Sequence, residues 1–286
     1  MPNEREGEAG MSQEKLYAII DGAAESHLFL MLERYDPPSA CLYGEPLQPE
    51  LVEIAPYLVQ VNEEVKIWLE CRKTPWGIFV HSAADMKTVR QHLRKYLQVL
   101  LPQQEKPVFF RFYDPRNIWD FLGVLSDWEA HCFLGPITRI TTLYLEEERT
   151  DNFVKIREPF PVGATSKRKM LAITEIQLEK IQAIFTERYI EKLAHLIPEW
   201  LEKAPFDFIP HIDTVECARQ FFDWFGQNGI TDDRNVRGLL QLFIIRHYLT
   251  IDDLPAAIYA QLTEYSQPGH MRAESVLIQE MGQVPL

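Results

Sequence analysis

The sequence predicts an α+β protein, with an α/β-type N-terminal lobe whose mixed sheet is flanked by helices, followed by an all-helical C-terminal lobe. From Leu16 to about Arg157, short apolar runs alternate with helical patterns. From Leu171 onward the apolar residues recur at three- and four-residue steps, which is typical of helices. The 286 residues, 46% of them hydrophobic, suffice to bury a core in each of two units.

The composition along the chain predicts the domain boundaries. The segment REPFPVGATSKRKM contains two prolines, a glycine and the basic cluster Lys167, Arg168 and Lys169, and this mixture is typical of a linker. We therefore expect five parts: a disordered lead-in over 1–14, an α/β domain over 15–157, a linker over 158–170, a helical domain over 171–266 and a frayed tail over 267–286.

Several N-terminal segments read as regular elements. Leu16 to Ile20 reads as a strand that stops at Asp21-Gly22, and the helix AAESHLFLMLERY after it ends at the Pro37-Pro38 pair. Further expectations are strands at KIWLEC, WGIFVHS, Ile137 to Leu145 and NFVKI, with a charged turn at EEERT.

Helix starts are marked by capping patterns. Ser82 is expected to cap a helix, with Asp85 reaching back and a stripe of Met86, Val89, Leu93, Leu97 and Leu100 that ends before Pro102. Thr174 with Gln177 predicts a second capped helix, which we expect to stop at Pro198. Two more helices are expected to begin at Asp213, and at Asp232 or Asp233.

The charge and the cysteines exclude several classes of protein. A net charge of -13 with scattered Lys and Arg argues against a nucleic-acid binder, which needs a basic face. The polar N-terminus lacks a secretory signal, and no stretch is apolar enough to insert in a membrane, so a soluble cytoplasmic protein is expected. Four cysteines without a CxxC pair predict reduced, mostly buried thiols.

Motifs for catalysis or cofactors do not occur in the sequence. We find no GxGxxG, phosphate loop, GxSxG or HExxH, and the eight histidines are isolated, so neither a cofactor nor a metal site is expected. His81 and Ser82 place an imidazole beside a hydroxyl. Neighbours in sequence rarely reach the geometry of a base and a nucleophile, so the capping role of Ser82 is favoured.

The stretch FFRFYDPR, Phe109 to Arg116, carries the best candidate site. Strand periodicity puts Arg111 on one face with Phe109 and Tyr113, so a buried guanidinium would need a carboxylate partner. Asp21, at the end of the first strand, is the preferred partner, and Asp114 is the second choice. Asp114 followed by Pro115 also predicts a helix N-cap with proline at the first helical position.

Two interpretations of this cluster remain open. In a hydrolase or transferase, Arg111, Asp114 and Asp21 would form an anion site, with Asp114 as base and Arg111 as clamp. The stretch lacks a nucleophile, a metal motif and a cofactor loop. A structural role for Asp21, Arg111, Tyr113, Asp114 and Pro115 is therefore favoured, with Arg111 as a buried cross-link to Asp21.

The order of several segments resembles the domain-of-unknown-function 4123 family, the effector adaptors or chaperones of bacterial type VI secretion. The segments are LYAIIDG, APYLVQV, GIFVHSAADMKTVRQHLRKYLQVL, FFRFYDPR and FLGPI, and they span about Leu16 to Ile140. The helical part from ITEIQLEKIQAIF onward looks like the variable extension that many such proteins carry.

The resemblance implies a cytosolic loading factor and not an enzyme. Such a protein is expected to hold an effector toxin protein and deliver it to the type VI spike protein, which contains valine-glycine repeats. The residues that bind these partners are not identified by the sequence. An alternative interpretation treats the helical part as an independent interaction module on an α/β scaffold. Trp128 and Trp224 are candidate contact residues, although tryptophans more commonly pack in a core.

Overall fold

The computed structural model describes residues 14–44, 46–161, 163–168, 170–204 and 212–284. The chain divides into two compact units, and the boundary falls between Ile181 and Gln182. The first unit combines strands and helices and the second is helical, so the predicted fold class is confirmed. The expected linker over 158–170 lies inside the first unit, while the expected lead-in lies almost entirely outside the described residues.

A six-stranded sheet forms the centre of the first unit. Its strand order is β2-β3-β1-β4-β7-β8, and every neighbouring pair is antiparallel. The strands are β1 (Lys15–Asp21), β2 (Ser39–Cys41), β3 (Pro56–Gln60), β4 (Gly77–Ser82), β7 (Ile137–Tyr144) and β8 (Glu147–Asp151). The strands predicted at Leu16 to Ile20, WGIFVHS and Ile137 to Leu145 are thus confirmed.

Helices cover both faces of this sheet, which explains the continuous apolar run of β1. The first-unit helices are α1 (Leu28–Tyr35), α2 (Pro49–Ile54), α3 (Glu63–Glu70), α4 (Met86–Leu93), α5 (Ile118–Val124), α6 (Asp127–Leu134) and α7 (Val154–Arg157). Tyr17 and Ile19 of β1 face a core that includes residues of α4, α5 and α6. Ala18 and Ile20 face a second core with residues of α1 and α3. Alternate residues of one strand therefore hold two helical layers.

A small three-stranded sheet supplies the mixed pairing. It has the order β6-β5-β9, with β5 (Gln98–Leu100), β6 (Val108–Phe109) and β9 (Leu171–Ala172). β5 pairs antiparallel with β6 and parallel with β9. The predicted helix from Ser82 to Leu100 is correspondingly shorter: α4 ends at Leu93, and a 3₁₀ turn over Arg94–Tyr96 leads into β5.

Three local predictions in the first unit were wrong in whole or in part. KIWLEC belongs to helix α3, whose start is fixed by Asn62, because its side chain accepts a hydrogen bond from the Val65 amide at 2.9 Å. Within EEERT, Glu146 lies in a two-residue turn with positive φ at Leu145 and Glu146, but the other four residues belong to the exposed edge strand β8. NFVKI contains the first three residues of α7 and no strand residue.

The cap predicted at Ser82 was also wrong. Ser82 is the last residue of β4; its hydroxyl donates to the Pro136 carbonyl at 2.7 Å and accepts from the Ala84 amide. Asp85 is the N-cap of α4, because its carboxylate accepts from the Thr88 amide at 2.8 Å. Ser82 therefore joins β4 to the segment before β7 and caps no helix.

The rest of the chain, as far as the structure describes it, is helical. Its helices are α8 (Glu175–Glu202), α9 (Thr214–Gln227), α10 (Asp233–Ile245), α11 (Ala256–Thr263) and α12 (Gly269–Met281). α8 begins after Thr174, whose hydroxyl accepts from the Gln177 amide at 3.3 Å while the Gln177 side chain accepts from the Thr174 amide at 2.9 Å. Pro198, the expected end of α8, lies inside it. Asp213 and Asp232 cap α9 and α10.

The expected frayed tail was wrong over its described part. Ala273, Val276 and Leu277 of α12 are buried in the core of the second unit. A side chain at Gly269 would meet the Gly229 carbonyl oxygen at 2.1 Å, so glycine is what permits this close approach. The end of the chain over these residues is therefore part of the helical core.

Arg272 is a buried cation in the second unit. Its guanidinium donates to the backbone carbonyls of Gln267, Leu262 and Asn228, and it lies over the Tyr265 ring at 5.1 Å. Leu262 is in the last turn of α11, and Asn228 is the C-cap of α9. Arg272 thus satisfies carbonyls at two helix ends, where the helix dipole favours a positive charge.

Two further observations concern the state of the cysteines and the length and apolar character of the helices. The four cysteines, all of which the structure describes, form no disulfide: Cys132 and Cys217 are buried, Cys41 is half-buried and Cys71 is exposed. Across the described ranges, none of the helices combines the length and the apolar character that crossing a bilayer requires.

Candidate functional site

The stretch from Phe109 to Arg116 leaves the small sheet at once. β6 ends at Phe109, so the strand periodicity assumed for residues 110–113 does not apply. Phe112 and Tyr113 are buried, while Phe109 and Arg111 are exposed. The residues therefore form a bend with an aromatic interior and one guanidinium on the outside.

Asp21 is the carboxylate that the sequence predicts as the partner of Arg111. It ends β1 and is only 4% exposed. Its carboxylate accepts from the Ala23 amide at 3.1 Å and from Nη1 of Arg111 at 3.4 Å. Burial raises the pKa of Asp21 above its ordinary value, and the charge of Arg111 offsets only part of that rise. Burial therefore disfavours the charged form of the Asp21 carboxyl group.

Arg111 pairs with Asp21 as predicted but is not buried. Its side chain is 57% exposed, and a single nitrogen makes the contact with Asp21. The predicted buried cross-link was therefore wrong in its burial, because the chain turns away from the sheet before Arg111. Because the contact is long and the guanidinium is mostly in solvent, we expect this pair to contribute little to stability. Most of the guanidinium remains available to a partner.

Asp114 is paired with Arg116 and not with Arg111. Oδ1 of Asp114 accepts from the Arg116 amide and from Nε of Arg116, both at 2.9 Å, and Oδ2 accepts from Nη2 of Arg116 at 2.7 Å. This is a two-pronged contact of the kind that fixes a carboxylate. Sequence reasoning missed Arg116, although an aspartate followed two residues later by arginine permits such a turn.

The predicted cap at Asp114-Pro115 was wrong as well. α5 begins at Ile118, and Asn117 occupies its N-cap position without a side-chain cap. Pro115 lies in the turn before the helix. The backbone carbonyl of Asp114 accepts from the amides of Asn117 and Ile118, both at 3.1 Å, so Asp114 closes a turn that leads into α5.

Tyr113 and Tyr43 lie beside the charged cluster. Burial, with a further contribution from the Asp21 charge, raises the pKa of Tyr113 far above its ordinary value, so the phenol stays neutral. Tyr43 contacts Phe109 with ring centroids 5.6 Å apart. Both tyrosines line an open groove.

We call this feature the arginine groove, after Arg94 and Arg111. Its volume is about 610 Å³. The apolar part of its lining includes Leu47, Leu51, Ile54, Leu97, Phe109 and Phe110. α2 contributes Leu51 and Ile54 and has no buried residue of its own. Sequence reasoning missed the groove because its walls are brought together from segments about fifty residues apart.

The arrangement carries little of what catalysis by Arg111, Asp114 and Asp21 would need. The hydrogen bonds described for the two carboxylates come from backbone amides and guanidinium groups. Among the described residues, no group of three His, Cys, Asp or Glu side chains is placed to hold a metal ion. What the geometry offers is an apolar surface with two exposed cations.

Two residues named from the sequence are explained by packing. Trp224 is buried in the core of the second unit. Trp128 is partly exposed, stacks on His131 with centroids 5.8 Å apart and contacts Phe160 edge-on at 5.2 Å. His81 contacts Glu14 at 3.4 Å, while the Ser82 hydroxyl donates elsewhere, so the two form no catalytic pair.

Comparison with protein families places the groove in a known domain. Residues 16–132 match the model of a domain of unknown function, DUF4123. The chain carries a DUF4123 domain. The resemblance inferred from the segment order is thereby confirmed. Asp21, Arg111, Asp114 and the whole lining of the arginine groove lie inside this DUF4123 domain.

A distant relative extends the similarity into the second unit. The chain is 23% identical to "Accessory protein VasW" of Vibrio cholerae serotype O1 over 273 residues, which cover 94% of this chain and 86% of that protein. The match therefore includes the helices after the DUF4123 domain. No solved structure matches the chain significantly.

Proposed function

We propose that the chain is a cytoplasmic adaptor or chaperone of type VI secretion. It binds an effector toxin and loads it onto the spike protein by protein–protein recognition, without catalysis. The observation that carries this proposal is the DUF4123 domain over residues 16–132, since the resemblance to that family implies effector loading. The distant similarity to a protein named as an accessory protein supports the same role.

The geometry of the site is consistent with recognition. Asp21 and Asp114 are engaged by their own chain, whereas Arg111 and Phe109 are exposed at the edge of an open groove. Apolar surface flanked by arginine is typical of the centre of protein–protein interfaces. The chain as a whole has a net charge of -13, which disfavours nonspecific association with acidic surfaces.

Affinity purification from the source bacterium tests the proposal. The tagged full-length chain should retain a toxin encoded beside its gene, together with the spike protein, and a tagged unrelated acidic protein should retain neither. During active secretion the toxin and the spike should reach the medium while this chain stays in the cells. Recovery without any secretion component would contradict the proposal.

Deletion of the gene gives the complementary result. An adaptor that loads one effector should be needed for export of that effector alone. The toxin should therefore disappear from the medium of the deletion strain while other secreted components persist. Undiminished export of every effector would contradict loading as the function.

A further inference from the structure

Large apolar side chains that line the arginine groove are exposed to solvent. Phe109 is 69% exposed, Ile54 45% and Leu51 38%. All three line the groove, and Ile54 and Leu51 come from a helix without buried residues. Contiguous exposed apolar side chains at a concave surface mark a contact site more often than single exposed residues do.

The charges of the groove are opposite to those of the chain as a whole. The chain has 42 acidic and 29 basic residues, yet the charged residues among the described lining are both arginines, Arg94 and Arg111. Arg94 is exposed, and within the described ranges it has no carboxylate at ion-pair distance. Arg111 has one contact at 3.4 Å. The groove is therefore a positive, apolar site on an acidic protein.

We propose that the arginine groove binds a segment of a partner protein in which apolar side chains are flanked by Asp or Glu. The inference rests on the proposed function, because it assigns a binding site to the adaptor. Leucine- or phenylalanine-like side chains would cover Phe109, Leu51 and Ile54. The carboxylates would meet the forks of Arg94 and Arg111, which bind carboxylates in a planar, two-pronged geometry.

The two kinds of contact have different roles. Burial of apolar side chains supplies most of the affinity, since it removes contiguous apolar surface from water. The arginines select for acidic segments and accelerate their association, an effect that salt screens. A groove of about 610 Å³ lies within the range of about 300–1,000 Å³ in which proteins bind compact ligands.

Random peptides of about twelve residues, displayed on phage and selected on the full-length chain, test the inference without a known partner. Recovered peptides should be enriched in Asp or Glu together with Leu, Ile or Phe. As synthetic peptides they should bind Arg94→Glu and Phe109→Ser at least about tenfold more weakly than the wild type, a difference of about 1.4 kcal/mol. Recovered peptides without acidic residues would overturn the inference.

Two exposed residues outside the groove provide matched controls. Arg34→Glu repeats the charge reversal on α1, and Leu145→Ser repeats the apolar-to-polar change at the β7–β8 turn. Both controls should keep wild-type affinity for the peptides. Equal loss in Arg34→Glu would mean that net charge alone governs binding, and it would overturn the assignment to the groove.

The outcomes also separate this inference from the proposed function. If peptide binding depends on Arg94 and Phe109 but no secretion component is recovered, the adaptor role is refuted and the groove remains a binding site. Recovery of toxin and spike that Arg94→Glu and Phe109→Ser leave unchanged would refute the groove alone. A concentration-dependent dimer that Arg94→Glu abolishes would show a second copy as the occupant and would overturn the inference.

Discussion

Arg111 in the first unit and Arg272 in the second hold their positive charges in opposite ways. Arg272 is buried, and carbonyls at the ends of α9 and α11 accept its hydrogen bonds together with Gln267. Arg111 is largely exposed and makes one 3.4 Å contact with a buried carboxylate. In the helical unit the guanidinium of Arg272 is buried and donates to protein carbonyls, whereas in the DUF4123 domain the guanidinium of Arg111 faces solvent.

The difference separates a residue that maintains the fold from one that is available for binding. A buried cation without its acceptors, or acceptors without their cation, costs several kcal/mol. An exposed cation paired at 3.4 Å contributes at most about 1 kcal/mol. Stability measurements on variants of the two regions should therefore diverge sharply.

The largest effect is expected for Arg272→Met. Methionine occupies a similar volume but leaves the carbonyls of Leu262, Asn228 and Gln267 without their donor, so the free energy of unfolding should fall by about 3 kcal/mol. Denaturant unfolding followed by tryptophan fluorescence measures this loss. Arg272→Lys keeps the charge and should recover part of it. A loss below about 1 kcal/mol would remove the contrast with Arg111.

Gly22→Ala should give the next largest loss and tests how the Asp21 cluster is held in place. A methyl group at Gly22 would lie 2.4 Å from the Glu53 carbonyl oxygen and 2.7 Å from that of Ala55, so backbone would have to shift. We expect a loss of about 2–3 kcal/mol, in the range of overpacked interiors. Gly123→Ala is the matched control. It meets nothing within 4 Å in α5 and should stabilise by about 0.5–1 kcal/mol.

Arg111→Ala should cost at most about 1 kcal/mol, because the lost contact is long and the guanidinium that makes it is mostly in solvent. The same denaturant titration used for Arg272→Met gives the comparison. A loss of 3 kcal/mol or more would mean that Arg111 is structural, like Arg272. Such a result would restore the interpretation as a cross-link between β1 and the bend at Phe112.

Asp21→Asn should have the smallest effect, and its sign is informative. The pKa of Asp21 is raised in the folded state by burial, so the carboxyl group stabilises the fold below its unfolded pKa of about 3.9. That contribution is lost as the pH rises through the raised folded pKa. At pH 7 the asparagine variant should be equally stable or more stable, by up to about 1 kcal/mol.

The pH dependence of that variant provides its control. Between pH 4 and the raised folded pKa, the unfolding free energy of Asp21→Asn should decline less with pH than that of the wild type. Should the variant lose more than about 1 kcal/mol at pH 7, attraction between Asp21 and Arg111 would outweigh the cost of burial.

Sequence reasoning predicted the fold class and the pairing of Arg111 with Asp21, but not the exposure of Arg111. The pairing followed from the strand end at Asp21-Gly22 and from the need of guanidinium for a carboxylate. The exposure depended on where β6 stops, and an aromatic run such as FFRFY gives no signal for that end. Alternation was assumed for residues that form a bend.

Neither the arginine groove nor helix α12 could be predicted from local sequence patterns. The groove is built by segments far apart in sequence, so local periodicity carries no information about it. α12 depends on the close approach of Gly269 to Gly229, which tertiary packing creates, whereas Pro268-Gly269 in the sequence is typical of a turn. KIWLEC fits a strand and a helix equally well, and the Asn62 cap decides for the helix.

Calorimetry on the full-length chains can show directly whether Arg111 serves recognition, by giving the dissociation constant of a purified co-retained partner for the wild type and for Arg111→Ala. If Arg111 serves recognition, the affinity should fall at least about tenfold while the unfolding free energy changes by no more than about 1 kcal/mol. An unchanged affinity, or a variant that no longer folds, would show that Arg111 is not a recognition residue.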